Sequence, residues 1–133
     1  MLLEFDIKTN GRTEFQDITA RITDIIAESG VKSGLCVVFA PHTTAAITIN
    51  ENADPDVTRD ILNEINKIVP FNDNYRHSEG NSAAHIKSSL FGASETIIIN
   101  NSRLALGVWQ SVYFCEFDGP RSRKVYIKIL ADK

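Results

Sequence analysis

The 133-residue chain has no long apolar run. Its longest apolar stretches, such as 37–41 and 96–99, are far shorter than the roughly 20 residues that a membrane-spanning helix needs. Residues 1–10 alternate apolar and charged side chains and lack both a basic start and a long apolar stretch, so they do not resemble a signal peptide. These absences predict a protein without a membrane span and with a cytoplasmic location.

An excess of positive charge is also absent. Fourteen Lys and Arg stand against seventeen Asp and Glu, which gives a formal net charge of −3. This balance disfavours a general nucleic-acid binder, because a polyanion is held by a surplus of basic side chains. With 43% hydrophobic and 23% charged residues, the composition is typical of a globular protein, and the length predicts a single domain over residues 1–133.

Cysteine is scarce, and the common catalytic motifs are missing. Cys36 and Cys115, the only cysteines, each lie in an apolar, strand-like run, where a free thiol behaves as a small hydrophobic side chain. We therefore expect buried, inert thiols rather than a disulfide. The sequence has no Walker loop, dinucleotide glycine fingerprint, paired CxxC or nucleophile elbow, which excludes the common nucleotide-binding, zinc-ribbon and serine-hydrolase classes.

Alternating patterns predict several strands. Apolar and charged residues alternate over 3–8, and Asn10-Gly11 is a strong hairpin turn signal before a second short strand. Residues 35–39 form an apolar run that Pro41 interrupts, after which β-branched residues resume. The remaining predicted strands cover 44–50, 96–99, 109–117 and 123–130, the last two being joined by a turn at Asp118-Gly119-Pro120.

Three helices are predicted between these strands. Asp17 is a candidate cap for a helix that ends near Gly30, and Asp54-Pro55 starts a second helix that Pro70 stops. A third, shorter helix covers about 81–91. Together the elements predict an α+β fold, a single compact domain with a mixed or antiparallel β-sandwich flanked by about three helices. The order of the strands does not follow from these patterns.

The three histidines are the first candidates for chemistry, because imidazole exchanges protons near neutral pH and binds metals. His42 follows a strand, His77 lies in a polar loop, and His85 is on the helix after that loop. A continuous helix would separate His77 from His85 by roughly 12 Å, too far for one ion with bonds near 2 Å. A loop-to-helix junction at Gly80 would allow His77 to fold back, whereas three unrelated polar residues are the alternative.

Two further polar groups have open interpretations. Asn50, Glu51 and Asn52 follow a strand directly, and they could be an active-site carboxylate flanked by amides or a cap and turn cluster before the second helix. Trp109 begins an apolar run, so packing in the core is the simpler interpretation, and a wall on which a substrate stacks is the alternative.

Three arginines could recognise a phosphate or a carboxylate, because a guanidinium presents a planar fork of donors. Arg103, Arg121 and Arg123 lie beside predicted turns. Arginines at such positions are also commonly solvated, so the sequence leaves both interpretations open.

Three blocks of sequence resemble the YjbQ family, also called UPF0047. The blocks are APHTTAAITINENADPDVTRD, YRHSEGNSAAHIKSSLFGAS, and RLALGVWQ followed by EFDGPRSRKVYIKIL, and the resemblance covers about 34–130. It implies a small α+β fold with a β-sandwich, assembled as a homotrimer. It also implies a weak, secondary thiamine-phosphate synthase activity that joins a pyrimidine pyrophosphate to a thiazole phosphate. The family pattern LGTWQ has a threonine where this chain has Val108, so Val108 is left out of the site.

The resemblance also implies a set of site residues. The expected catalytic residues are His42, Glu51 and His85, and a divalent metal, zinc or magnesium, is expected on His42, His77 and His85. In this scheme Glu51 acts as a general base or orients a histidine. The expected substrate-binding residues are Thr43, Thr44, Asn52, Asn81, Trp109 and Arg121.

Two classes of function follow from these expectations. The first is an enzyme whose histidine-lined pocket holds a metal or a phosphate, and the second is a non-catalytic binding module for a small phosphorylated metabolite. A structural trimer without a ligand is the third possibility. All site predictions depend on one geometric expectation, that the three imidazole rings converge around a single small ligand.

Overall fold

The computed structural model of residues 1–133 contains eight strands and three helices. The strands are β1 (Leu3–Lys8), β2 (Glu14–Asp17), β3 (Ser33–Phe39), β4 (Ala45–Glu51), β5 (Ser94–Asn100), β6 (Arg103–Leu104), β7 (Gln110–Glu116) and β8 (Ser122–Ala131). The helices are α1 (Thr19–Ser29), α2 (Pro55–Ile68) and α3 (Ser82–Phe91). A five-stranded sheet has the order β1-β8-β3-β5-β6, a three-stranded sheet has the order β2-β7-β4, and every strand pair is antiparallel. The predicted α+β sandwich with three helices is confirmed.

The main core lies between the two sheets. Alternate residues of β3, β5 and β8 face alternate residues of β4 and β7, and α1 adds Ile22 and Ile26. Burial of these apolar side chains drives the packing of the two sheets. Each of these five strands contributes two of the buried core residues, in the order β3, β5, β8, β4 and β7: Cys36 and Val38, Ile97 and Ile99, Val125 and Ile127, Ala45 and Ile47, and Val112 and Phe114.

The second face of the three-stranded sheet is covered by α2 and α3. Ala46, Tyr113 and Cys115 on this face pack against Ala84 of α3, with Leu62 of α2 at the edge. The three-stranded sheet is therefore the middle layer, and the helices form an outer layer. Both cysteines are buried and free, as predicted, and burial raises the pKa of the Cys36 thiol to about 11.

The helix ends follow the predicted signals with one shift. Asp54 accepts a hydrogen bond from the Asp56 N–H at 2.9 Å, and Pro55 occupies the first turn of α2. Gly30 ends α1 with a φ of 71°, the left-handed conformation that favours glycine. Ile18, not Asp17, occupies the cap position of α1, although Asp17 still accepts the Thr19 N–H at 3.0 Å. None of the helices combines the length and apolarity needed to cross a bilayer.

Two connections between the sheets lie at the same end of the sandwich. Residues 40–44 join β3 to β4, and residues 117–121 join β7 to β8. The two connections are neighbours because Ala45 pairs with Glu116 in the three-stranded sheet. The start of α3 lies against them, since Asn81 Nδ2 donates to Asp118 Oδ2 at 2.9 Å. Three segments that are distant in sequence therefore meet at one place.

One lysine of α3 is fully buried. Lys87 has no exposed surface, its Nζ donates to Asn66 Oδ1 at 2.7 Å, and it lies 4.1 Å from the centre of the Phe71 ring. Burial, together with the nearby charge of Arg12, lowers the pKa of Lys87 to about 8. No carboxylate compensates the buried charge among these contacts.

We expect Lys87 to make folding more favourable as the pH rises from about 8 to about 10.5, because the folded chain binds fewer protons than the unfolded chain in this range. The difference in the free energy of unfolding between the wild type and Lys87→Met, taken as wild type minus variant, should increase by about 2 kcal/mol between about pH 7 and about pH 10. Urea unfolding at several pH values measures this difference. The exposed Lys67, replaced by Met, is the control, and an equal pH dependence for both comparisons would contradict the prediction.

Candidate functional site

A pocket of about 560 Å³ opens where the three segments meet. Six of the predicted site residues line it, together with Glu79 at its mouth and Arg123 at its base. The six are His42, Thr43, Thr44, Asn81, His85 and Arg121. The pocket is therefore built from the 40–44 connection, the start of α3 and the 117–121 connection.

A buried ion pair forms the base of the pocket. Arg123 is 5% exposed and Glu116 is fully buried. Arg123 Nε donates to Glu116 Oε1 at 2.8 Å, and Arg123 Nη2 donates both to Glu116 Oε2 and to Thr44 Oγ1. The carboxylate also accepts from Thr9 Oγ1 at 2.8 Å and from the Asp118 N–H at 3.0 Å. Its donors come from three segments: the residue after β1, the 117–121 connection and β8.

The pKa of Glu116 lies below its usual range. Burial alone would raise this pKa, but hydrogen bonds from Arg123, Asp118 N–H and Thr9 to the ionised carboxylate outweigh burial. Glu116 is therefore ionised at neutral pH, and its charge balances that of Arg123.

Each of the two pocket arginines keeps one nitrogen free of acceptors within the chain. Arg123 Nη1 has no acceptor, although every other nitrogen of its guanidinium does. In Arg121, Nε donates to the Asp118 carbonyl at 2.8 Å and Nη2 donates to Asp118 Oδ2 at 2.9 Å, which again leaves Nη1 free. Both guanidinium groups are thus oriented by acidic residues and still have donors for a ligand.

His42 is held by the backbone of β8. Its Nε2 lies 2.9 Å from the Lys124 backbone nitrogen and 3.1 Å from the Lys124 carbonyl oxygen, and its ring contacts Phe114 edge-on. Burial lowers the pKa of His42, an effect that the Lys124 backbone opposes and the charge of Arg123 reinforces. Because its pKa lies below the ordinary value of about 6.5, the ring is neutral at pH 7.

His77 folds back onto His85, which is one of the two arrangements that the sequence left open. The two ring centres are 5.4 Å apart at an angle of 83°. Gly80, with a φ of 83°, lies between the loop and α3 and permits this reversal. His77 lines a neighbouring depression rather than the main pocket, and His85 lines both.

The three histidines are not gathered around one point in this arrangement. No group of three or more His, Cys, Asp or Glu side chains lies close enough to hold an ion. His42 Nε2 is occupied by the Lys124 backbone, and His77 lies outside the pocket that His42 lines. The metal on His42, His77 and His85 remains a prediction, and no step of the function proposed below depends on it.

Within one chain, Glu51, Asn52 and Trp109 do not join the pocket. They lie at the opposite end of β4 and β7, and the seven residues of β4 place Glu51 roughly 20 Å from the pocket end at about 3.3 Å per residue. Asn52 Nδ2 instead donates to Ser111 Oγ at 2.5 Å. Trp109 is 60% exposed, so it does not pack in the core as the simpler interpretation of the sequence predicted. It precedes β7, which begins at Gln110, and therefore lies outside the sheet.

Sequence reasoning missed the importance of Glu116 and did not select Arg123. The signal was present, since Glu116 interrupts an apolar run in β7, and Arg123 shares a strand face with Val125 and Ile127, which face the core. Opposite charges at buried positions of two strands that follow each other in the sequence predict an ion pair.

Comparisons with known proteins agree with the resemblance. A family model described as "UPF0047 protein YjbQ-like" matches residues 3–132. A UPF0047 protein of Methanocaldococcus jannaschii is 56% identical over 133 residues, which is all of this chain and 96% of that protein. The UPF0047 protein YugU of Bacillus subtilis is 52% identical over 98% of this chain and 99% of its own length.

Solved structures share the fold as well. An uncharacterised conserved protein of the YjbQ/UPF0047 family from Clostridium acetobutylicum superposes with a TM-score of 0.95 at 58% identity, covering 96% of this chain and 99% of that chain. A YbjQ-like protein of unknown function from Sulfolobus solfataricus has the same TM-score at 30% identity, covering 99% of this chain and 97% of that one.

Proposed function

Because this chain belongs to the YjbQ-like UPF0047 family, whose structures compared above are described as uncharacterised or of unknown function, we propose a function from the pocket itself. The pocket binds the phosphate group of a small phosphorylated metabolite. The observation that carries this proposal is the buried Arg123, which is oriented by Glu116 and retains a free Nη1 at the base of the pocket.

The donors around the pocket suit a phosphate oxyanion. Arg123 Nη1 and Arg121 Nη1 are not used within the chain. Hydrogen bonds from charged donors are shorter and stronger than neutral ones, and burial strengthens them further. Glu79, an exposed acid at the mouth, opposes an anion, so the favourable contacts come from the base of the pocket.

Phosphate binding would also serve a transfer reaction. When a pyrophosphate leaves, negative charge develops on its oxygens, and preorganised donors such as the two arginines stabilise it. As the C–O bond to pyrophosphate breaks and the thiazole nitrogen forms the new C–N bond, a protonated His85, which lines the same pocket, would donate its proton to the departing pyrophosphate oxygen. Thiamine-phosphate synthase activity is the specific reaction that the family resemblance suggests, with Arg121 and Arg123 meeting the departing pyrophosphate.

A turnover assay separates the enzyme from the binding module. The chain is incubated with the pyrimidine pyrophosphate and the thiazole phosphate, with and without Zn²⁺ or Mg²⁺, and thiamine phosphate is measured. Product that His85→Ala abolishes supports the enzyme, whereas tight binding of the substrates without product supports a binding module. Elemental analysis of untagged protein, purified without chelators, tests the metal in the same preparations.

Assembly as a homotrimer is part of the same proposal. The outer face of the five-stranded sheet exposes apolar side chains, and Leu35 pairs across the strands with Ile98 and Leu130 on that face. Exposed apolar patches of this kind favour association. Light scattering measures the mass of the assembly.

We expect Arg121→Gln to weaken the binding of inorganic phosphate about tenfold, because it removes a charged donor from a partly exposed position. The change in stability should be below about 1 kcal/mol, since the pair with Asp118 is half exposed on the arginine side. Isothermal calorimetry measures the affinity. Arg59→Gln, which removes an exposed arginine paired with Asp56 on α2, is the control. Equal affinities for the two variants would contradict the assignment of Arg121.

A further inference from the structure

A second depression lies beside the main pocket and shares His85 with it. It has a volume of about 380 Å³, most of its surface is apolar, and its lining includes Arg76, His77 and Ser82. The start of α3 lies between the two concavities, because Asn81 lines the main pocket and Ser82 lines the depression. The two spaces are therefore arranged on either side of one imidazole.

The N-terminus of α3 is uncapped at this position. The Asn81 amide donates to Asp118 instead of accepting from the helix, so the cap residue makes no side-chain cap. The backbone N–H groups of Ser82 and Ala83 have no acceptor within the chain. Free N–H groups at the start of a ten-residue helix, together with the helix dipole, favour an anion.

Ser82 provides an independent indication of a ligand. The residue is only 9% exposed, and its Oγ is buried without any hydrogen-bond partner. Buried hydroxyl groups in proteins are nearly always paired, and an unpaired one costs stability. A ligand oxygen in the depression would accept from this hydroxyl.

We propose that this depression, the Ser82 subsite, binds a second oxyanion, a phosphate or a carboxylate. The hydroxyl and the N–H group of Ser82 and the guanidinium of Arg76 are its donors. Glu79, whose carboxylate lies 3.8 Å from His77 Nε2, is the acidic group nearby, and it is 74% exposed. The inference deepens the proposed function and rests on it for the first oxyanion, which the main pocket holds.

The arrangement defines the substrate class. Either one molecule with two anionic groups spans His85, or two separate anionic molecules occupy the two spaces. In both cases His85 lies between the two anionic groups. A histidine in this position can donate a proton to, or accept one from, an atom of the substrate that lies between those groups.

Titration of the ¹⁵N-labelled chain with inorganic phosphate tests the subsite. The Ser82 and Ala83 amide signals report the depression, and the Thr44 and Lys124 amide signals report the main pocket. We expect both sets to shift, each with its own affinity. Ser82→Ala should weaken the phosphate affinity reported by the Ser82 subsite signals about three- to tenfold and leave the affinity reported by the main-pocket signals unchanged. Arg121→Gln should do the reverse.

Ser89→Ala is the matched control, because Ser89 is an exposed serine of the same helix whose Oγ donates to the His85 carbonyl. It should leave both sets unchanged. Titration with pyrophosphate distinguishes one spanning molecule from two separate ones. If both sets of amide signals shift with one affinity that is tighter than that of phosphate, a single molecule spans the two spaces. If pyrophosphate shifts only the main-pocket signals while phosphate shifts both sets, two molecules bind.

The outcomes separate the two proposals. If the Ser82 and Ala83 signals do not move, or if Ser82→Ala and Arg121→Gln affect both sets equally, the Ser82 subsite is wrong. If only the Ser82 and Ala83 signals move, the subsite stands and phosphate binding in the main pocket is wrong.

Discussion

Glu116→Ala should lower the free energy of unfolding by about 3–5 kcal/mol, the range found when one partner of a buried ion pair is removed. Arg123 would remain 5% exposed beside a cavity, with a charge that no carboxylate balances. The Asp118 N–H would lose its acceptor at the same time, and Thr9 Oγ1 would keep only the Arg121 carbonyl. Urea unfolding, followed by circular dichroism, measures the loss.

The pair should be far less costly to remove as a whole. In Glu116→Met with Arg123→Met, no buried charge is left, and apolar side chains fill a similar volume. We expect this double variant to recover at least half of the stability that Glu116→Ala loses. A double variant less stable than Glu116→Ala would contradict this account of the loss.

The same double variant should bind inorganic phosphate about 100-fold more weakly than the wild type, because it lacks the buried donor at the base of the pocket. A hydrogen bond to a charged group contributes about 1.5–3 kcal/mol, and a buried donor lies at the strong end of this range. The loss should therefore exceed the tenfold loss expected for the half-exposed Arg121. Calorimetry on folded protein measures it.

Two controls keep this prediction separate from stability. The circular dichroism spectrum of the double variant must match that of the wild type at the temperature of the titration. The double variant leaves the net charge unchanged, because it removes one acid and one arginine, and Arg59→Gln, which makes the net charge more negative by one, should still bind phosphate normally. Wild-type affinity in the double variant would remove Arg123 from the binding site.

The sequence patterns predicted the elements well because those patterns are local. Alternation over β1 and the cap and proline at Asp54-Pro55 depend on neighbouring residues, and the structure has the strand and the helix there. The folding back of His77 was also accessible, because Gly80 provides a left-handed conformation between the loop and α3.

Two of the predicted site residues were grouped with His42 because of their proximity in sequence. Glu51 and Asn52 are close to His42 along the chain, but an extended strand separates them in space, and the predicted roles at one pocket do not fit within one chain. Glu116, by contrast, is distant from Thr9 and Thr44 in sequence and contacts Thr9 directly, while Arg123 links it to Thr44.

By itself, the sequence determined the fold class, the positions of the strands and helices and the family, because period-two and helical patterns and the three motif blocks are written in consecutive residues. The tertiary structure decided which polar residues meet. Two connections cross between the sheets at one end, and β-pairing of Ala45 with Glu116 brings them together. Strand pairing acts between distant residues, so the pocket and its buried ion pair emerge only from the folded chain.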